Sequence, residues 1–150
     1  MAKFRFLDDV AIADAAFVAE GKNLEDLFSN CALATFEVIA NTKKVEPKKS
    51  VSISLTYKNL DRLLFDWLSE LIYLKDLKKM IFSKFDIKIS SPKASLAKEG
   101  DEYKLKAKAW GEGIDYKKHQ IRLDVKAVTY HLFEIKKGKN KWKAKIILDV

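Results

Sequence analysis

The side chains able to carry chemistry in this chain are few. Cys31 is its only cysteine, and His119 and His131 are its only histidines. A catalytic thiol needs a basic neighbour to lower its pKa. Cys31 instead falls among Leu24, Leu27, Phe28, Thr35 and Ile39 at helical spacing, the place of a small core residue. Two histidines do not build a metal centre alone; His119, in the loop that follows Gly111-Glu112-Gly113, and His131 each suit a structural hydrogen bond. The chain has no Walker loop, no Gly-x-Gly-x-x-Gly, no Gly-x-Ser-x-Gly and no paired Cys/His zinc spacing. A self-contained enzyme needs an acid, a base or a nucleophile in a recognisable setting. Their lack shifts the reading toward a binding or accessory protein.

What remains is a group of polar residues near the C-terminus. From Ile121 to Ile135 the odd positions Ile121, Leu123, Val125, Ala127, Phe133 and Ile135 are mostly apolar, which predicts a long strand with an odd buried face. Val128, Tyr130 and Leu132 make its middle apolar on the other side too, and Thr129 and His131 fall on the buried side. Such a strand is expected to be central in its sheet or the floor of a site, with its polar groups hydrogen-bonded. Lys137-Gly138-Lys139-Asn140 is a hairpin signal, and Trp142, Ala144, Ile146 and Leu148 alternate beyond it. Pairing about this turn sets Asp149 and the carboxylate expected at Val150 opposite roughly Val128–Tyr130. A carboxylate pair is thereby brought to the polar middle of the strand that carries Lys126.

The elements that must position these groups are readable in order. Phe4 and Phe6 mark a short strand that Asp8-Asp9 interrupts, and a second extended segment runs from Asp14 to Gly21. Asn23 can cap a helix reaching about Ala40, with Glu25 and Asp26 suited to its positive end. Val51 to Tyr57 alternates as a strand. Asn59 can cap a second helix whose stripe holds Leu60, Leu63, Leu64, Trp67, Leu68, Leu71 and Ile72. Phe65, Tyr73 and Leu74 widen this stripe, so the helix is expected to be buried on more than one side, or else to meet a partner chain. Strands at Ser83–Ile89 and Tyr103–Ala109 precede the hairpin. The order predicts an α+β fold of two amphipathic helices on mainly antiparallel sheet, one domain over residues 1–150.

Composition agrees with a globular chain: 48% hydrophobic, 33% charged, five glycines and two prolines in 150 residues. One cysteine, no apolar run of membrane-spanning length and no signal-like start predict a cytoplasmic protein with no membrane partner. The net charge is +8, from 29 basic and 21 acidic residues, which allows nucleic acid or an acidic partner. Lys104, Lys106 and Lys108 share one strand face. Most such faces are simply solvated; an RNA-binding stripe would want interleaved aromatics, and only Trp110 could serve.

Several motifs in order carry a family likeness. They are Asp14 with Gly21; Asn23-Leu24-Glu25-Asp26-Leu27-Phe28; Asp66-Trp67-Leu68-Ser69-Glu70-Leu71-Ile72-Tyr73; and Phe82-Ser83-Lys84-Phe85. Gly111-Glu112…His119, Val125-Lys126-Ala127-Val128-Thr129-Tyr130-His131 and Ile147-Leu148-Asp149-Val150 complete the set. Over nearly its full length the chain resembles the archease family. It departs where that family often reads His-Thr-Ala-Asp, since Ala11-Ile12-Ala13-Asp14 keeps only the last two residues.

The resemblance implies a non-enzymatic accessory factor that promotes guanylylation and multiple turnover of an RtcB-type tRNA-splicing RNA ligase, so that tRNA is an indirect partner. It also implies a metal site at Asp14, Asp149 and Val150 with Lys126 nearby, where the lysine would contact a phosphate or an acidic group of the ligase. Thr129, His131 and His119 are then supporting residues. An all-oxygen donor set suits a hard divalent cation, Ca²⁺ foremost, with Mg²⁺ or Mn²⁺ as alternatives. Three other readings stay open: a chaperone-like modulator of a tRNA-modifying enzyme such as a tRNA methyltransferase, a stand-alone metal-dependent enzyme, and direct RNA binding as the main activity, whose mark would be affinity falling steeply with salt.

Overall fold

A computed structural model describes residues 3–7, 14–92 and 102–150. The expected break at Asp8-Asp9 and the segment Ala11-Ile12-Ala13 lie outside the described residues. Asn23 starts the first helix, α1 (Leu24–Ile39), two residues after a strand ends: its side chain accepts from the Asp26 N–H at 2.8 Å, and Glu25 and Asp26 occupy the positive first turn. Gly21 closes the preceding strand against this turn. A Cβ there would lie 2.3 Å from the Leu27 nitrogen, so only glycine allows the approach. Asn59 caps the second helix, α2 (Leu60–Lys78), in the same way, accepting from the N–H groups of Asp61 and Arg62.

Among the described residues seven strands form two antiparallel sheets. The first contains β1 (Phe4–Leu7), β2 (Asp14–Gly21), β7 (Trp142–Asp149) and β6 (Ala127–Lys137), in the order β1-β2-β7-β6. The second contains β3 (Lys49–Tyr57), β5 (Tyr103–Gly113) and β4 (Met80–Ser90), in the order β3-β5-β4. Helix α1 packs on β2 and β7 of the first sheet and on β4 of the second, which explains why residues as far round it as Phe28, Cys31, Ala34 and Phe36 are all buried. Burial pushes the Cys31 thiol upward, away from the reactive thiolate. Helix α2 covers the second sheet, and its buried Trp67 donates from Nε1 to the Phe28 carbonyl at 3.0 Å, satisfying its one polar atom and tying the helices together. Both sheets and both helices contribute to one hydrophobic core, the expected α+β arrangement. Among the described residues no helix is long and apolar enough to cross a membrane.

The C-terminal hairpin departs from the expected pattern. The strand does not begin at Ile121; residues 121–126 are irregular and β6 starts at Ala127. It is also an edge strand rather than a central one. Pairing jumps from Thr129↔Ile147 to Glu134↔Lys145, so three extra residues bulge out of β6, and Leu132 adopts a positive φ of 53° there. An odd insertion reverses the face each later side chain takes. Val128 therefore faces the core before the bulge, while Phe133 and Ile135 face it afterwards. His131, Tyr130 and Leu132 are exposed instead of buried, the last two by 53% and 55%.

The bulge also answers why α2 is apolar beyond one face. The Tyr130 ring stacks on Phe65 of α2 with centroids 3.8 Å apart, and Phe133 meets both rings edge-on. Helix α2 is thus covered on two sides, by the second sheet and by β6. Tyr73 and Leu77 stay exposed along it.

Candidate functional site

Strands β2 and β7 align Asp14 directly opposite Asp149, and β6 sets Ala127 on the other side of Asp149. Phe17 and Ala19 of β2 lie in the core with Ile146 and Leu148 of β7. By alternation Asp14 and Asp149 share the opposite face, away from α1. In the next row Ala16 and Ile147 lie opposite one another with Thr129 beyond, and both apolar residues are buried although they stand outside the main core. Asp149 faces Ala127 rather than the expected Val128–Tyr130, because the β6 bulge shifts the register by three.

Two carboxylates directly across a strand pair repel one another. No basic side chain among the described residues lies within ion-pair distance of either. Thr129, diagonal to Asp149, carries a buried hydroxyl oxygen with no hydrogen-bond partner among the described residues, contrary to the expected strand-interior bond. A cation would relieve the repulsion, and the oxygens available suit a hard one. Among the described residues no three His, Cys, Asp or Glu side chains gather as a metal-binding group. The two carboxylates together would offer at most four of the six to eight oxygens that Ca²⁺ takes.

Lys126 reaches this corner through its backbone: its N–H donates to the Asp149 carbonyl at 2.8 Å, and its side chain is exposed. The segment before it is held by Lys75, a residue that inspection of the sequence did not single out. Lys75 is 5% exposed; its ammonium donates to Asp124 Oδ1 at 2.7 Å and to the Val125 carbonyl at 2.8 Å, and forms an ion pair with Asp76 Oδ1 at 2.9 Å. The signal was its spacing: Lys75 stands four residues after Leu71 and seven after Leu68, on the buried stripe of α2. Arg122 fastens the same segment to the end of α1, donating to the Glu37 side chain at 2.8 Å.

His119 is placed elsewhere, in a polar clamp. The ring is fully buried; Nδ1 accepts from the Asp115 N–H at 3.0 Å, so the proton is on Nε2, which donates to Glu112 Oε2 at 3.1 Å. Glu112 also accepts from the Glu46 N–H at 2.7 Å and from Lys118. The Glu46 N–H first, then Lys118 and His119, outweigh the effect of burial and lower the carboxyl from 4.5 to about 2. Its stabilisation is present above the unfolded value of 4.5 and is lost as pH falls toward 2. Urea midpoints measured from pH 5 to pH 2 should fall more steeply in the wild type than in Glu112→Gln. Parallel curves would refute the assignment. His131, by contrast, is exposed on the bulge.

The model of the Archease protein family (MTH1598/TM1083) matches residues 4–150. The protein archease of Methanothermobacter thermautotrophicus is 39% identical over 150 residues, covering all of both chains. That of Methanosarcina mazei is 37% identical over 148 residues, 99% of this chain and 96% of its own. The solution structure of Methanobacterium thermoautotrophicum protein 1598 superposes with a TM-score of 0.83 at 39% identity and full coverage of both chains. The crystal structure of a Thermotoga maritima archease, described as a possible chaperone, shares the fold with a TM-score of 0.58 at 19% identity, covering 93% of each chain. The match to the family model along almost the entire length and the relatives' identity over nearly all of it make this chain a member of the archease family.

Proposed function

We propose that the chain is a non-enzymatic activator of an RtcB-type RNA ligase, promoting ligase guanylylation and multiple turnover. The observation that carries this reading is the Asp14–Asp149 pair, two carboxylates in register with no basic partner among the described residues, in a chain of the archease family. Asp14, Asp149 and the main-chain oxygens at Val150 would hold a divalent hard cation, Ca²⁺ foremost. When bound, such a cation neutralises phosphate charge. A site that fills only part of a cation's coordination shell is suited to sharing it with a partner. Lys126 is exposed beside the pair, and its compact ammonium suits a phosphate or an acidic ligase group. Tyr130 and Leu132 on the bulge offer exposed apolar contacts to the partner.

The decisive experiment is single-turnover guanylylation of a ligase from the same source, with GTP and its metal, with and without this chain. Faster ligase–GMP formation and many RNA joints per ligase are expected. No change in either would redirect attention to the second reading, a chaperone-like modulator of a tRNA-modifying enzyme. That reading is favoured by the possible-chaperone description of the Thermotoga maritima protein and by the exposed Tyr73, Leu77, Tyr130 and Leu132.

A further inference from the structure

The outward face of the β3-β5-β4 sheet is built unlike the rest of the surface. β5 contributes Lys104, Lys106 and Lys108 to it, and β4 contributes Lys84 and Lys88, all five exposed. Its one exposed acidic residue is Asp86, opposite Lys108; Glu112, farther along the same side of β5, is buried and bonded to Lys118 and His119. Five positive charges against one negative leave +4, half the chain's net +8. Lys106 stands directly across from Lys88, a like-charge pair that weakens the sheet. The basic residues of the first sheet and the loops include many in ion pairs, such as Lys141 with Glu20, Lys118 with Glu112 and Arg122 with Glu37. None of these five lysines lies within 4.0 Å of a described carboxylate oxygen.

The rest of the face is equally particular. On β3 the residues opposite the lysines are Ser52, Ser54 and Thr56, short side chains that leave the lysines clear and offer hydroxyl donors. At one end Trp110 is half-buried, with the Lys84 ammonium 6.0 Å from the ring centroid. A shallow groove of about 370 Å³ runs between Lys88, Lys106, Lys108 and Trp110. Alternate residues along β5 repeat every ~6.8 Å, close to the phosphate repeat of an extended nucleotide chain.

We infer that this face binds single-stranded RNA, with the Lys104–Lys106–Lys108 and Lys84–Lys88 rows on successive phosphates and Trp110 as a stacking platform at one end. A protein partner would need a desolvated apolar centre; of the groove's two large apolar residues Ile53 is buried in the core, which leaves Trp110 alone to offer one. A duplex would leave Trp110 without an unstacked base. Lysines acting as point charges, with hydroxyls beside them, give affinity for phosphate and sugar without base readout. The face belongs to the other sheet from Asp14 and Asp149, so RNA binding stands or falls separately from the ligase reading.

The test is fluorescence anisotropy of a labelled oligouridylate with the full chain across a salt series. Single-strand binding loses about 0.7 in log K per log salt for each phosphate neutralised. Five contacts predict an affinity loss of about 100-fold between 50 and 200 mM salt. Lys104→Ser/Lys106→Ser/Lys108→Ser should cut the slope by about 2 and the low-salt affinity more than ~10-fold. A control that removes Lys78, Lys117 and Lys139, exposed residues outside β3, β4 and β5, in the same way should retain the wild-type slope. The triple variant should also keep full stimulation of ligase guanylylation, which reports that it is folded. Binding that ignores salt, equal binding by the two triple variants, or displacement of the oligonucleotide by polyglutamate at equal charge would each overturn the inference.

Discussion

Asp149→Ala should reduce stimulation of ligase guanylylation by at least ~10–100-fold, the range seen when the immediate support of a metal site is removed. Asp14 lies opposite Asp149, so Asp14→Ala should act alike. The same substitution makes an unusual stability prediction. Without metal, the two carboxylates repel, and removing one should leave the fold as stable or raise it by about 0.2–1 kcal/mol. With Ca²⁺ in excess, a cation that binds only the native state stabilises the wild type by RT ln(1 + [L]/Kd) and the variant hardly at all. Urea melts in chelator and in Ca²⁺ therefore separate a binding pair from two solvated strand-end carboxylates. A wild type indifferent to Ca²⁺, Mg²⁺ and Mn²⁺, together with full stimulation by Asp149→Ala, would end the metal reading.

The sequence revealed those parts of this arrangement that depend on local chemistry. Asn23 and Asn59 announce both helices because a cap must stand next to the N–H groups it satisfies, and the structure starts α1 and α2 one residue after each. The alternation of β2, β3, β4 and β5 is likewise local. Alternation alone misplaces the β6 side chains because its parity is broken inside the element: three bulged residues with Leu132 at positive φ convert an apparent run of one face into two half-strands with opposite inward sides. Such a bulge is specified by its neighbours, here Phe65 stacking on Tyr130, and α2 is far away in the chain. Hairpin counting brought Asp149 to the right strand. Asp14 could not be placed beside it from residues alone, because the β2–β7 pairing joins the two ends of the chain. Lys75 was hidden for the same reason: its partners Asp124 and Val125 lie some fifty residues on.

Gly111→Ala should be the most destabilising single methyl this chain can receive on its second sheet, and it distinguishes a motif kept for structure from one kept for function. A Cβ at Gly111 would lie 1.8 Å from the Ile81 carbonyl oxygen and 2.8 Å from the Phe82 Cα. All three of its nearest atoms are backbone, so no rotamer change relieves the clash. The contact arises where β4 bulges between Phe82 and Lys84 and presses its main chain onto β5. Alanine must push the strands apart, and the residues that follow are Glu112 and the loop to His119. Their clamp depends on Glu112 reaching the Glu46 N–H and the buried His119 at 2.7 and 3.1 Å. Overpacking with loss of buried hydrogen bonds costs about 3–5 kcal/mol, read as a lower urea midpoint with an unchanged slope. The fraction that still folds should stimulate the ligase normally, since the Asp14–Asp149 pair lies in the other sheet. A loss below about 1 kcal/mol would mean that β4 can yield. Lost stimulation in a stable Gly111→Ala protein would instead mean that Gly111-Glu112…His119 belongs to the functional site.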